Sequence, residues 1–471
     1  MMAGGHWVWS PKQSCSRVRV KSLARGRGDH QVSLRARTGD SALHRGPLPV
    51  ASDNYQEVNM KQIRDKVGGL DVHRDSVVAC TRVTLPGGEV EVAKARFATT
   101  QTGLAELTAF LMDAGVNTVA MEATGIYWRT VYYALEGLFE ELWLCNAQHV
   151  KNVPGRKSDL SDAEWLADVA AHGMVRPSFV PPPEIRELRE LTRYRKTQVD
   201  ARAHEIQRLE KILQDAGVKL TSVASSVWSK SSRAMIEAMI AGERDSVVLA
   251  DMAKGVMRKK TDRLEEALES NFGAHHAILC RQVIDHLDFL DASIATLSAE
   301  ICARVLPFEP QVTLLTSIPG ISVTTAQIIV AETGADMSRF PTAGHLCAWA
   351  GVAPASYESA GKKRPAGTRK GAPWLKRTLI EAARAAARTK GSYYSAQYSR
   401  IARRRGPNKA AVAVANSLLD TAWHLLSTGA LYQDPGADYF ERRNDPAIEA
   451  KRLQRRIEAL GFAVTISEKA A

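Results

Sequence analysis

Four acids stand out by where they fall in this 471-residue chain. Asp71 lies inside the apolar run VGGLDV, where an ionised carboxylate is costly unless a cation or hydrogen-bond donor faces it. Glu122 ends a second apolar run, TVAME, and Asp159 and Asp162 are one helical turn apart in KSDLSDAEWLADVAAHG. In the order strand, strand, helix turn, such acids suit two hard cations about 4 Å apart that activate an attacking oxygen and stabilise the leaving oxygen of a phosphodiester. Magnesium, or manganese, matches an all-oxygen ligand set. Taken singly, Asp159 also reads as a helix N-cap and Asp162 as a solvated helix acid.

A serine supplies the second kind of chemistry. Ser359 lies in HLCAWAGVAPASYESAGKKRPAGTRKGAPWLKRTLIEAA, where apolar residues give way after Pro354 to small and basic ones, the mark of an exposed loop before a helix. A serine hydroxyl is a weak nucleophile until a base, a metal or a cationic environment favours its alkoxide. Lys362, Lys363, Arg364, Arg369 and Lys370 provide cations able to clamp phosphate oxygens. On residue type alone, a serine in a Gly-rich loop is more often a turn residue than a nucleophile, and Ser356 is a second candidate in the same stretch.

Two more segments carry nucleic-acid character. In IPGISVTTAQIIVAE the turn resembles a helix-hairpin-helix, whose backbone N–H groups face a phosphate, with Gly320 the main contributor. Ser322 stands where a second glycine is usual, and an ordinary packing turn is the alternative. Further on, Tyr393, Tyr394 and Tyr398 alternate with Lys390, Arg400, Arg403, Arg404 and Arg405, combining stacking faces with phosphate-binding cations. The alternative is half-buried tyrosines beside a solvated arginine face. His73 and His172 adjoin the acidic motifs without a metal-ligand partner and read as structural.

The elements that must position these groups follow from periodicity. VGGLDV, SVVACTRVTL and VEVAKARF are short, β-branched and separated by turn signals such as Pro86-Gly87-Gly88, which predicts a three-strand meander. A helical stretch, TGLAELTAFLMDAG, the strand NTVAMEA, a helix around YWRTVYYALEGLF and the strand ELWLCNA come next. This order predicts an RNase H-like α/β domain in which the strands of Asp71 and Glu122 are neighbours. After Pro181-Pro182-Pro183, Val199, Ile206 and Leu213 repeat every seven residues in a long helix. A second helical region, roughly 256 to 305, either folds back beside it as a coiled-coil hairpin or serves as a dimerisation arm. Beyond Pro310, helices are expected around 373 to 390 and 408 to 428.

Composition narrows the classes. The chain is 45% hydrophobic and 24% charged, as in ordinary globular proteins, and its 63 Lys and Arg against 51 Asp and Glu give a net charge of +12 that points to an anionic partner. Cys15, Cys80, Cys145, Cys280, Cys302 and Cys347 show no C-x-x-C spacing, so neither a zinc site nor a disulfide framework is indicated. No apolar run approaches the roughly 20 residues needed to span a bilayer, and no signal core opens the chain, so a cytoplasmic, nucleoid-associated protein is expected. No GxGxxG or Walker A pattern supports nucleotide-fuelled chemistry. Residues 1–59 are rich in Arg, Gly and Ser and are expected to be a basic disordered extension. The remaining divisions are 60–180 for the α/β domain, 181–309 for the helical arm, 310–430 for a mostly helical domain carrying the serine, and 431–471 for a charged tail.

GLDVHRDSV, AMEATGIYW and KSDLSDAEWLA together resemble the three blocks of the DEDD transposase family of bacterial insertion sequences, over about residues 65 to 430. The N-terminal domain of that family is similar to the Holliday-junction resolvase. The resemblance implies that Asp71, Glu122, Asp159 and Asp162 are the metal-holding tetrad and that Ser359 becomes covalently joined to a DNA end. Here the serine is followed by Ala-Gly where the family often has Gly-Gly. It further implies a homo-oligomer, dimer or tetramer, that acts on element ends and target DNA and uses a structured guide RNA encoded by the element. The function expected is therefore cutting and rejoining of DNA by serine transesterification, and the alternative is a structure-selective DNA nuclease similar to Holliday-junction resolvases.

Overall fold

The three β-branched runs form β1 (Lys66–Val72), β2 (Ser76–Thr84) and β3 (Val90–Ala98), joined as an antiparallel meander. The computed structural model describes residues 62–466 apart from 124, 152, 154–160, 357, 360, 365–366 and 443–445. α1 (Gln101–Asp113) starts behind Thr100, whose side chain accepts the Gly103 N–H, and it buries Leu104, Leu107 and Leu111 along one stripe. Each leucine buried this way is worth about 1.5–3 kcal/mol relative to an exposed one. β4 (Thr118–Glu122), α2 (Trp128–Leu135) and β5 (Glu141–Cys145) continue the alternation. β4 runs parallel to β1 and β5 parallel to β4, so the sheet order is β3-β2-β1-β4-β5. β3, at one edge, is largely exposed and carries Glu91, Lys94 and Arg96, charges that discourage pairing with another chain.

Period-two alternation sorts the sheet into two faces. Leu70, Met121 and Leu144 pack with α1 and α2. Val67, Ala120 and Cys145 face the other way, into a core completed beyond the short α3 (Ala147–Lys151) by Trp165, Leu166 and Ala170 of α4 (Asp162–Ala171).

The remaining described chain is helical except for one small hairpin, giving an α/β N-terminal part and a helical C-terminal part. α5 (Pro183–Asp215) has Pro183 in its first turn, where the missing N–H loses no bond. α6 (Lys230–Ala241), α7 (Ser246–Asp251), α8 (Thr261–Leu268) and α9 (Ala274–Val305) follow. Leu209 and Leu213, late in α5, share a core with Cys280, Ile284 and Leu287, early in α9. Ile185 and Leu188, early in α5, share another with Ile301 and Val305 at the end of α9. The two helices therefore fold back antiparallel within the chain, cross-linked by Arg202–Asp291, Arg304–Glu187 and a 2.7 Å bond from Arg195 Nε to Ser298 Oγ.

α10 (Glu309–Thr316), α11 (Val323–Thr333) and α12 (Ala343–Ala350) lead to the hairpin of β6 (Glu358–Ser359) and β7 (Lys362–Lys363). α13 (Pro373–Ala386), α14 (Tyr393–Arg405), α15 (Pro407–Thr428), α16 (Tyr439–Arg442) and α17 (Pro446–Glu458) follow. α15 is central to this core, burying Val414, Ala415, Leu418, Leu419 and Ala422. The start of α5 is fastened to α11 through Glu332, fully buried, which accepts from Arg193 Nε and Nη2 at 2.7 Å each.

Candidate active site

The acid site is built by register. Leu70 pairs with Met121 across the parallel β1–β4 ladder, and the next residues on the two strands are Asp71 and Glu122. Both alternate onto the face that α4 covers, since Val67 and Ala120 belong to that core. α4 can lie close because Gly69 has no side chain: a Cβ there would stand 2.1 Å from the Ala163 carbonyl oxygen and 2.6 Å from the Ala167 nitrogen. Asp162, immediately before Ala163, opens α4, where the helix dipole favours an acid.

Asp162 and Glu122 lie near enough to Asp71 for their charges to act on it. Burial foremost holds the Asp71 carboxyl above its ordinary range, and the charges of Asp162 and Glu122 push the same way. His73 opposes them, its Nε2 lying 3.2 Å from Asp71 Oδ2. His73, read from the sequence as structural, follows Asp71 by two residues, just beyond the end of β1. Asp159 lies outside the described residues. The N-cap of α4 is Ser161, whose side chain accepts the Glu164 N–H, so the capping role considered for Asp159 belongs to Ser161. His172 lies at the other end of α4, its Nδ1 2.9 Å from the Asp168 carbonyl, as expected of a structural residue. The donor set of this patch is all oxygen plus one imidazole, and its excess negative charge in a half-buried place suits a hard divalent cation.

Asp215, His275 and His276 form another group with ligand atoms within 4.8 Å of one another. Here the geometry favours a joint between α5 and α9 over a metal site. His276 Nδ1 accepts the Gly273 N–H at 3.0 Å, which places a neutral ring's proton on Nε2, 3.2 Å from Asp215 Oδ2, and removes the lone pair a metal would need.

Ser359 sits in the hairpin, its backbone paired with Lys362, and Glu358 is paired with Lys363. The two legs of this hairpin are tied to each other, Ala355 N–H donating to Gly367 O at 3.0 Å, and the second leg is held to the helical core by Ala372 N–H donating to Trp349 O at 3.2 Å. Gly351 and Gly371 cross so closely that a Cβ on Gly371 would lie 2.4 Å from the Gly351 nitrogen. Lys362, Arg364, Arg369 and Lys370 are exposed around it. The hairpin and the acid patch thus belong to different cores of the described chain.

Gly320 has φ +88°, and a Cβ there would meet Ala382 O at 2.7 Å and Ala386 N at 2.5 Å, so the glycine is required by its approach to α13. The aromatic part of the Tyr/Arg segment is occupied internally. Tyr394 is fully buried with its hydroxyl donating to Thr421 Oγ1 at 2.8 Å, Tyr398 packs on the core, and Tyr393 stacks on Phe440 at 5.2 Å. Arg403, Arg404 and Arg405 are exposed in the last turn of α14.

A family model of DEDD transposases related to IS110 matches residues 68–217, and one described as the transposase IS116/IS110/IS902 family matches residues 312–399. The chain belongs to the IS110 family of transposases. Like other transposases it is an enzyme that cuts and rejoins DNA. It is 27% identical over 384 residues to the transposase for insertion sequence element IS1111A of Coxiella burnetii, which covers 80% of this chain and 93% of the relative. It is 28% identical over 325 residues to a probable family 20 transposase of Pseudomonas aeruginosa, covering 68% and 86% respectively. The first family match of this transposase contains all four acids, and the second contains Gly320, Ser359 and Tyr393 and ends before Arg403. Among the described residues, no helix is long and apolar enough to cross a membrane.

Proposed function

We propose that this transposase breaks and rejoins DNA by serine transesterification, with Ser359 as nucleophile and Asp71, Glu122, Asp159 and Asp162 as the acid set that holds magnesium or manganese. The observation that supports it is the meeting of Asp71, Glu122 and Asp162, from three separate elements, in one patch whose mutual repulsion a cation relieves. An antiparallel meander followed by two parallel strands agrees with an RNase H-like domain over 60–180. Residues 181–309 then form the arm and 310–430 the serine domain.

A cation held by the acids supplies Lewis acidity to the phosphate and leaving oxygens of a phosphodiester. The chain's own residues do the rest. The hydroxyl oxygen of Ser359 attacks phosphorus and loses its proton, the deoxyribose oxygen leaves and takes one up, and the serine phosphodiester keeps the energy of the broken bond. A DNA hydroxyl then reverses the step on a new end, so religation needs no nucleotide. Lys362, Arg364, Arg369 and Lys370 clamp the phosphate, with Lys363 beside them in sequence. On this reading the chain acts as a homo-oligomer, in which the serine and the acids brought to one phosphodiester come from the same copy or from different copies. A structured guide RNA is the remaining partner of this reading.

The test is a denaturing gel of protein incubated with its element's junction DNA. Wild type should give a denaturant-resistant adduct that maps to Ser359, and Ser359→Ala should lose both adduct and strand exchange while still binding DNA. Cleavage by Ser359→Ala at the parental rate would instead establish a resolvase-like nuclease, and an adduct on Ser356 would move the nucleophile.

A further inference from the structure

We infer that the groove beneath the Ser359 hairpin receives one unpaired DNA base beside the phosphodiester that is cut. The inference rests on the serine reading above. The groove holds about 600 Å³ and lies between the hairpin's two legs, at Pro354 and Thr368, and the helices α14 and α15. Pro354 bridges Thr368, and these same legs carry Ser359, so an occupant of the groove is held next to the hairpin.

Its walls select the occupant. Val352, Val412 and Ala413 offer apolar contact, while the amide-bearing residues Gln397, Asn408 and Asn416 line the same space, Asn408 Oδ1 also accepting from Arg384 Nη2 at 3.5 Å. A nucleobase has this mixture, two apolar faces and an edge of donors and acceptors that Asn and Gln amides recognise. An aliphatic chain would leave the amides unmatched.

Gln397 adds an independent reason. Its Nε2 donates to Ser417 Oγ at 2.8 Å, and Ser417 Oγ donates in turn to Ala413 O at 3.3 Å, which fixes which end of the amide is nitrogen. Its Oε1 is buried with no hydrogen-bond partner among the described residues. A base edge carrying an amino group supplies the missing donor once Gln397 turns its amide toward the groove, exchanging the Ser417 bond for one to the base.

Charge favours nucleic acid as the source of that base. Lys409 lines the groove, and Arg403, Arg404 and Arg405 end α14 immediately before Gly406 and the start of α15, which carries Asn408. Phosphates on either side of an extruded base would find these cations along the rim. DNA is the source because the groove is continuous with the legs of the hairpin that attacks DNA.

The experiment uses the full chain and junction DNA carrying 2-aminopurine at successive positions around the cut, a probe whose fluorescence rises when it leaves the stack. One DNA position should brighten on binding, in wild type and equally in Ser359→Ala, because uptake of the base precedes chemistry. Ala413→Trp, which fills the groove, should abolish the brightening and slow strand exchange by about tenfold or more. An abasic nucleotide at the same position should restore exchange to that variant. Asn416→Leu, which keeps the space and removes an amide, should weaken the brightening if Ala413→Trp fails to fold. Absence of brightening at every DNA position would overturn the inference, as would brightening confined to 2-aminopurine in the RNA or parental exchange by a folded Ala413→Trp. Loss of the Ser359 adduct with brightening intact would strike the serine reading and leave the groove assignment standing.

Discussion

Helix α4 crosses strand β1 where Gly69 meets Ala163, backbone against backbone. This crossing sets Asp162 over the end of the strand that carries Asp71, two residues beyond Gly69. Gly69→Ala should therefore push α4 off the sheet, because a carbonyl oxygen 2.1 Å from the new Cβ cannot swing aside. Gly68→Ala meets the Leu111 Cδ2 atom at 2.9 Å, the far end of a side chain that can shift. We expect Gly69→Ala to lose strand exchange and about 1–3 kcal/mol of stability, and Gly68→Ala to keep most of both. Urea unfolding and an exchange assay on the two variants check this, and equal behaviour would contradict it.

The acid patch makes opposite demands on stability and function. Glu122→Gln removes a charge that presses on Asp71, so the metal-free protein should melt at a higher temperature than wild type. The same variant, and Asp71→Asn, should bind magnesium or manganese at least about tenfold more weakly by calorimetric titration. A variant that binds metal as tightly as wild type and retains exchange removes that acid from the site.

Glu332 joins the first turns of α5 to α11 from a fully buried position. Besides the two bonds from Arg193, the Arg189 guanidinium donates to the Glu332 and Ala331 carbonyls at 2.7 and 3.0 Å. Burial lowers Arg189 to about 10, with the charge of Glu332 working against the shift. Glu332→Gln leaves two guanidiniums facing one another without a counter-charge and should cost about 3 kcal/mol. Arg193→Lys, which loses the bidentate fork but keeps a charge, should cost less. Chemical denaturation gives both values, and a loss within about 0.5 kcal/mol for Glu332→Gln would exclude a structural role for the pair.

What could be read in advance depended on how local its cause was. The meander, β4 and the neighbouring of Asp71 and Glu122 were legible because period-two runs and turn residues act over a few positions. The one-turn spacing of Asp159 and Asp162 placed Asp162 on a helix, and Asp162 does open α4. Whether the second long helix partnered α5 of its own chain was not, since heptad spacing states that a partner exists without saying which. The hairpin of β6 and β7 escaped because its residues do not alternate and its base is set by Gly351 meeting Gly371, twenty residues apart in sequence. The tyrosines of α14 looked like open stacking faces because Thr421 and Phe440, which occupy Tyr394 and Tyr393, lie far along the chain.

The thiols should separate cleanly under alkylation. Burial pushes Cys145 and Cys347 up to about 12 and Cys80 and Cys280 up to about 11, whereas Cys302 is exposed. The thiolate is the reactive form, and near pH 8 its fraction is roughly one in a thousand at the latter two and less again at the former. Iodoacetamide on the native protein should therefore modify Cys302 before any of these four, with the labelling of Cys145 and Cys347 rising about tenfold for each pH unit in the alkaline range. Peptide mass spectrometry reads the order directly, and modification of Cys145 at the rate of Cys302 would show that the core opens.

Arg403, Arg404 and Arg405 present three exposed cations in the final turn of α14. Cations there also benefit from the helix dipole, which is worth only a few tenths of a kcal/mol each, so folding should survive their loss. Function separates the two roles. If each arginine neutralises a phosphate, replacing all three with alanine should lower the slope of log affinity against log salt by about 3, and weaken binding to all sequences alike. Tyr393→Ala offers the control, because its ring stacks on Phe440 and its loss should loosen α16 and lower stability without altering the slope. Binding titrations over a range of salt concentrations distinguish these outcomes. An unchanged slope in the triple variant would assign the arginines to the helix end alone, and a changed slope in Tyr393→Ala would mean that the C-terminal segment it holds also lies against nucleic acid.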